Sequence, residues 1–147
     1  MGVVIGGHIH SIDVMLDEGA FEPLHAHPYD AGYDLRSPVD FILHPHGHET
    51  IDTRVHILIP NGFVGLLKAK SGLNVKEGIK GTGTIDAGYT GSLVVKLENT
   101  EEGTHHFKPG DKMIQIIFVP VETPELHYVK SFPETDRGEN GFGSTGR

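Results

Sequence analysis

Residues 50–59 read TIDTRVHILI, and their apolar side chains recur at every second position. Ile51, Val55, Ile57 and Ile59 fall on one face together with Thr53, which is the pattern of a β-strand with one buried face. The stretch therefore predicts a half-buried strand and favours a β-sheet fold.

The same alternation continues along the chain in the segments 11–16, 39–43, 62–70, 92–98 and 112–119. Turn signals such as HPHGH, TEEG and KPGD separate these segments, and only residues 71–78 (SGLNVKEG) favour a helical turn or two. Many short strands joined by turns predict an all-β domain of the sandwich, jelly-roll or barrel type.

Composition narrows the class of protein. The 147 residues fit one domain, and the absence of cysteine excludes disulfides and a cysteine nucleophile and favours a cytoplasmic location. A formal charge of −8 argues against a nucleic acid polymer as partner, although a small phosphate ligand is compatible with it. No apolar run is long enough to span a bilayer, so no membrane partner is expected.

The C-terminal part differs in composition from the rest. We expect one β domain over residues 1–136, with an extended connector from about residue 120, and a glycine-rich arm, RGENGFGSTGR, over 137–147. So few apolar residues cannot offset the entropy of ordering this arm. The arm is therefore either a frayed terminus or a flexible lid that closes on a ligand, with Arg137 on phosphate and Phe142 against a flat ring.

Three segments carry candidate chemistry. Residues 78–91 hold five glycines around Asp86 and Tyr89, a composition that suits backbone readout of a base, with Asp86 as general base and Tyr89 beneath a sugar. Ser71 and Gly72 precede the predicted helical turn, where amides and a hydroxyl can meet an anion. Asp34 lies in DAGYDL, which is predicted to be a loop between strands. Each segment could also be an ordinary turn.

In order, the segments AGYDL (31–35), KSGL (70–73), GTIDAGYTG (83–91), PGDKMIQIIF (109–118) and RGENGFGSTG (137–146) resemble the five motifs of the trimeric dUTP pyrophosphatase family. The resemblance implies a jelly-roll-like (β-clip) subunit and a homotrimer with sites at subunit interfaces. It also implies that dUTP is hydrolysed to dUMP and pyrophosphate with Mg2+, which limits uracil in DNA and supplies dUMP.

The resemblance implies a role for each matched residue. Asp86 would activate the water that attacks the α-phosphorus, Tyr89 would exclude a ribose 2′-hydroxyl, and Asp34 would meet magnesium through water only. The remaining substrate-binding residues would be Lys70, Ser71, Gly72, Gly83, Thr84, Ile85, Gln115, Arg137, Phe142, Gly143, Ser144 and Thr145. Lys70 stands where the family usually has arginine, so weaker phosphate binding is expected there, because lysine cannot form a bidentate fork.

Two rival functions remain open. A dCTP deaminase of related fold would need a glutamate ten residues after the motif aspartate, where this chain has Lys96. A non-catalytic dUTP-binding regulatory protein would keep the same pocket. The clusters His25/His27 and His44/His46/His48 suggest zinc, but they are better read as surface histidines in turns.

Overall fold

The computed structural model describes residues 2–141 and 143. Along these residues lie thirteen strands and one helix: β1 (Val3–Ile5), β2 (His8–Ser11), β3 (Asp13–Leu16), β4 (Tyr33–Arg36), β5 (Phe41–Leu43), β6 (His48–Asp52), β7 (Val55–Leu58), β8 (Phe63–Lys68), α1 (Ser71–Glu77), β9 (Ile79–Lys80), β10 (Thr82–Ile85), β11 (Val94–Asn99), β12 (His105–Phe107) and β13 (Lys112–Pro120).

All strand pairs are antiparallel, and the largest sheet has the order β10-β8-β13-β4. A second sheet has the order β6-β11-β9, and three two-stranded ribbons pair β1 with β2, β3 with β7 and β5 with β12. The prediction of an all-β, jelly-roll-like domain with one short helix is confirmed. The helix of the described chain, α1, is too short to cross a membrane.

The alternation in residues 50–59 does create a buried face: Ile51, Thr53, Val55, Ile57 and Ile59 are all buried. The prediction of one continuous strand is wrong, however, because β6 and β7 belong to different sheets. The chain bends between them at Arg54, whose φ of 61° lies in the left-handed region. The same buried face therefore lines the core from two sheets.

Two other predicted elements are confirmed. Leu93, Val95 and Leu97 are fully buried, as their alternation predicted. Helix α1 covers the predicted helical turns and ends at Gly78, whose left-handed φ of 64° lets its N–H donate to Asn74 O.

Two elements differ from the prediction. Residues 11–16 were expected to bury one face, yet Val14 and Leu16 on β3 are 44% and 39% exposed, so this apolar face lies open in the single chain. Asp34 was expected in a loop but lies within β4, and it is buried. A buried carboxylate in a strand needs partners from elsewhere in the chain.

All described residues from Pro120 onward are exposed, including the large apolar side chains of Leu126, Tyr128 and Phe132. The arm residues Phe142, Ser144 and Thr145 lie outside the described residues.

Candidate active site

A cavity of about 330 Å³ collects residues from three of the predicted segments. Asp34, Lys70, Ser71 and Gln115 line it, together with Lys112, which the sequence interpretation did not select. These residues are far apart in the chain, so their meeting depends on how the strands pair.

Strand register explains the meeting. Asp34 on β4 is paired with Gln115 on β13, and Gln115 is paired in turn with Lys68 at the end of β8. Lys70 and Ser71 follow two and three residues later, as α1 begins. Gly32 permits the close approach, because a Cβ there would lie 2.8 Å from Gln115 Oε1 and 2.9 Å from the Ile116 carbonyl oxygen.

Two lysines surround the Asp34 carboxylate. Lys70 Nζ donates to Asp34 Oδ1, and Lys112 Nζ lies 3.6 Å from Oδ2. The pairing explains how Asp34 can be buried, and it leaves two cations beside one anion. The lining also includes Asp30, so Lys70 and Lys112 are the groups through which this cavity could contact an anion. The sequence offered little sign of Lys112, which begins β13 directly after an ordinary KPGD turn.

A second group of predicted residues lies on and after β10. Gly83, Thr84 and Ile85 belong to this strand, which is the outer strand of its sheet among the described residues. Backbone groups on the outer side of an edge strand are available to pair with a ligand. Gly83 packs closely on β8, since a Cβ there would lie 3.0 Å from Leu67 Cδ1.

The loop of residues 86–91 follows β10 and presents Asp86 and Tyr89. Asp86 is exposed and Tyr89 is 42% exposed. The N–H of Gly88, with φ of 82°, donates to Ile59 O at 3.1 Å, and the Tyr89 hydroxyl donates to Ser92 O at 3.0 Å. These contacts hold the loop against the end of β7 and leave Asp86 and part of the Tyr89 ring exposed.

His56 on β7 also contacts this loop and was missed by the sequence interpretation. Its Nδ1 lies 2.8 Å from Thr90 O, and its Nε2 lies 2.8 Å from Asp17 Oδ2. The hydrogen bond to Thr90, followed by that to Asp17, raises the pKa of His56 above its ordinary value. A histidine that alternates with the buried residues of a strand carries no sequence signal for such a role.

The cavity and the loop lie at opposite ends of β10. Ala69, next to Lys70, donates its N–H to Gly81 O, just before the start of the strand. Asp86 is five residues beyond Gly81, or about 16 Å at 3.3 Å per residue. The structure therefore brings together Asp34, Lys70, Ser71 and Gln115 but leaves Asp86 and Tyr89 apart from them.

The arm makes local contacts where it is described. Arg137 Nε donates to Asn140 O at 2.7 Å, and Gly138 N–H donates to Thr135 Oγ1 at 3.0 Å. In residues 2–141 and 143, no three His, Asp or Glu side chains lie close enough together to hold a metal ion.

Fold and site together define the class: an all-β, jelly-roll-like protein with a cavity lined by lysines and carboxylates. A family model described as dUTPase matches residues 20–146, and the chain belongs to this dUTPase family. The deoxyuridine 5′-triphosphate nucleotidohydrolase of Rhodococcus erythropolis is 41% identical over 136 residues, covering 89% of this chain and 82% of the relative. The chain spans only 45% of the length of one longer viral relative.

Solved structures agree with this family. The Staphylococcus bacteriophage 80alpha dUTPase with dUPNHPP gives a TM-score of 0.88 at 33% identity, covering 94% of this chain and 99% of that one. A mutant dUTPase from phage phi11 of S. aureus, described with a structural Mg(II) ion, gives a TM-score of 0.78 at 34% identity, covering 84% and 99%.

Proposed function

We infer that the protein is a dUTP pyrophosphatase that converts dUTP and water to dUMP and pyrophosphate. The observation that carries this inference is the cavity in which Asp34, Lys70, Ser71 and Gln115 meet from three separate segments. The two lysines and the Ser71 hydroxyl of this cavity offer contacts to a triphosphate, and membership of the dUTPase family supports uracil as the base.

The loop after β10 supplies the reacting groups in this proposal. The Asp86 carboxylate accepts a proton from the water that attacks the α-phosphorus, and its exposure leaves it free to meet a substrate. The backbone of Gly83, Thr84 and Ile85 pairs with the polar edge of uracil, which suits their position on an edge strand. Tyr89 packs beneath the deoxyribose and leaves no room for a 2′-hydroxyl.

The cavity holds the phosphates in this proposal. Lys70, Ser71, Gly72 and Gln115 contact phosphate oxygens, and closure of the arm adds Arg137. The arm residues Phe142, Gly143, Ser144 and Thr145 complete the substrate contacts, with Phe142 over the base. A lid of this kind excludes water from the reacting groups.

The residues around Asp34 fit a magnesium ion held mainly by substrate. Asp34, Ser71 and Gln115 offer the oxygen ligands that Mg2+ prefers, but Asp34 is one carboxylate and already faces two lysines. Such a donor set suits an ion bound by phosphate oxygens, with Asp34 reaching it through water. When bound, the ion neutralises phosphate charge.

In this proposal the protein is a homotrimer, which accounts for the distance between the Asp34 cavity and the Asp86 loop within one chain. The attacking water must contact both Asp86 and the bound phosphate, which a spacing of about 16 Å within one chain does not allow. A site that combines the loop of one subunit with the cavity of another does allow it. The open apolar face of Val14 and Leu16 and the exposed connector side chains offer surface for assembly.

Lys96 weighs against the deaminase alternative. Its Nζ lies 3.9 Å from Glu98 Oε1 on the exposed face of β11, and a lysine cannot act as the carboxylate that deamination requires. The other alternative, a non-catalytic dUTP-binding protein, would differ from the proposed pyrophosphatase only in lacking turnover.

The decisive experiment incubates the protein with dUTP, dTTP, dCTP and UTP in the presence of magnesium and measures release of pyrophosphate and of ammonia. We expect pyrophosphate from dUTP with strong preference over the other three. Ammonia from dCTP would identify a deaminase, and dUTP binding without turnover would identify a regulatory binder.

A further inference from the structure

His56 bridges two parts of the chain that are distant in sequence. It lies on β7 opposite Met15 of β3, and its side chain is only 18% exposed. One ring nitrogen contacts the carbonyl oxygen of Thr90 and the other a carboxylate oxygen of Asp17, both at 2.8 Å. The ring thus connects the residue that follows β3 to the loop that carries Asp86 and Tyr89.

The chemistry of the two partners fixes the protonation of the ring. A carbonyl oxygen and an ionised carboxylate can only accept hydrogen bonds, so each ring nitrogen must carry a hydrogen to satisfy its partner. A neutral imidazole carries one such hydrogen and would leave a lone pair facing one of the two oxygens. Only the imidazolium form satisfies both partners at once.

We propose that His56, as an imidazolium, is a positioning residue that holds the loop of residues 86–91 in its reactive conformation. This rests on the proposed roles of Asp86 and Tyr89. The loop is fixed on the side of Asp86 by the bond from Gly88 N–H to Ile59 O, and on the far side of Tyr89 by the bond from His56 to Thr90 O. Tyr89 lies between these two bonds, and its N–H donates to Asp86 O at 3.3 Å, so losing the second bond loosens the turn that carries both residues.

The charges around the ring favour the imidazolium near neutral pH. Asp17 contacts it directly, and Asp52 at the end of β6 adds a second negative charge. Arg54, in the bend between β6 and β7, is the nearby cation, and its Nη1 is directed to the carbonyl oxygen of Glu18. From the loop, the titratable side chains are Asp86, which is exposed, and Tyr89, whose hydroxyl donates to Ser92 O. The raised pKa of His56 agrees with this arrangement.

The test compares pH profiles of kcat and KM for dUTP in the wild type and four variants. His56→Ala removes both hydrogen bonds, and His56→Lys restores a cation with several donors that stays charged to about pH 10. Asp17→Asn keeps the shape but removes the negative charge. The control is His106→Ala, because His106 also lies on a strand beside a carboxylate, Asp40 at 3.3 Å.

At pH values below the pKa of His56, we expect His56→Ala to lower kcat/KM about tenfold, mostly through kcat. A loss of this size is the scale of one charge-assisted hydrogen bond. The wild-type protein should fall part of the way toward this level as pH rises through that pKa, because the neutral ring can keep only one of its two hydrogen bonds, whereas the alanine variant should lack this step. His56→Lys should recover most of the activity and move the step to higher pH, Asp17→Asn should move it to lower pH, and His106→Ala should match the wild type.

Nitrogen NMR of the ring gives a second readout that does not depend on turnover. We expect both ring nitrogens of His56 to carry hydrogen at pH 7 in the wild type, and this state to titrate at lower pH in Asp17→Asn. A neutral ring at pH 7, or an unchanged pH profile in His56→Ala, would overturn the proposal. If dUTP were not hydrolysed at all, the proposed function would fail while the NMR result still reported on the bridge itself.

Discussion

Replacing Gly91 by alanine should disturb the sugar pocket while leaving the fold almost intact. A Cβ at this position would lie 2.3 Å from the Tyr89 hydroxyl oxygen and 2.6 Å from Cζ, where ordinary contacts are 3.4–4 Å. The ring must therefore shift by about 1 Å or more. Because it is 42% exposed, it can swing outward, and the main loss is the 3.0 Å bond to Ser92 O.

That hydrogen bond sets the expected change in the free energy of unfolding at about 0.5–1.5 kcal/mol. The catalytic effect should be larger, since a displaced ring no longer excludes a 2′-hydroxyl. We expect the preference for dUTP over UTP in kcat/KM to fall about tenfold, equivalent to about 1.4 kcal/mol.

The assays are pyrophosphate release with each nucleotide and urea unfolding without ligand. Gly103→Ala is the matched control, because Gly103 lies in an exposed turn with nothing within 4 Å of an added Cβ. An unchanged preference in Gly91→Ala would show that Tyr89 does not select the sugar. A loss of stability far beyond the stated range would show that the ring cannot swing.

Three further predictions concern separate parts of the molecule. Asp86→Asn should fold and bind dUTP but lose at least about a hundredfold in kcat, the scale of a missing general base, and near-normal turnover would remove Asp86 from the mechanism. Truncation after Asp136 should leave the melting temperature without ligand unchanged, because every described residue it removes is exposed, while turnover collapses; full activity of the truncated protein would contradict the lid. The raised pKa of His56 contributes stability that is fully present below its ordinary value of 6.5 and is lost as pH rises through the folded-state value. Melting temperatures of wild type and His56→Ala should therefore converge at alkaline pH, and a constant difference would argue against this linkage.

The buried faces of the strands could be predicted from sequence because burial leaves a local pattern. Ile57 and Leu97 recur with their neighbours at a period of two, and both are buried as expected. The end of α1 at Gly78 was predictable for the same local reason, since glycine readily adopts the left-handed conformation there. The bend at Arg54 was not, because arginine seldom adopts a positive φ.

The features that the sequence did not reveal depend on contacts between distant residues. Asp34 was expected in a loop because it stands near a glycine in DAGYDL, between predicted strands. The charges that balance its burial come from Lys70 and Lys112, 36 and 78 positions away. The exposure of Val14 has a related cause: alternation shows that a face is apolar but not whether the same chain covers it. The bridge made by His56 joins three segments and likewise has no local signature.

The distance between the Asp86 loop and the Asp34 cavity has a consequence for mixtures of defective chains. In the proposed trimer, a chain with Asp86→Asn still lends an intact cavity to its neighbour, and a chain with Lys70→Ala still lends an intact loop. Two preparations that are each inactive should regain activity when they are unfolded together and refolded into mixed assemblies. In a cell that makes both a defective and a normal chain, a site would be inactive only where the defective chain supplies the altered part of that site. The loss of activity would therefore be partial, and it would increase with the fraction of chains that are defective.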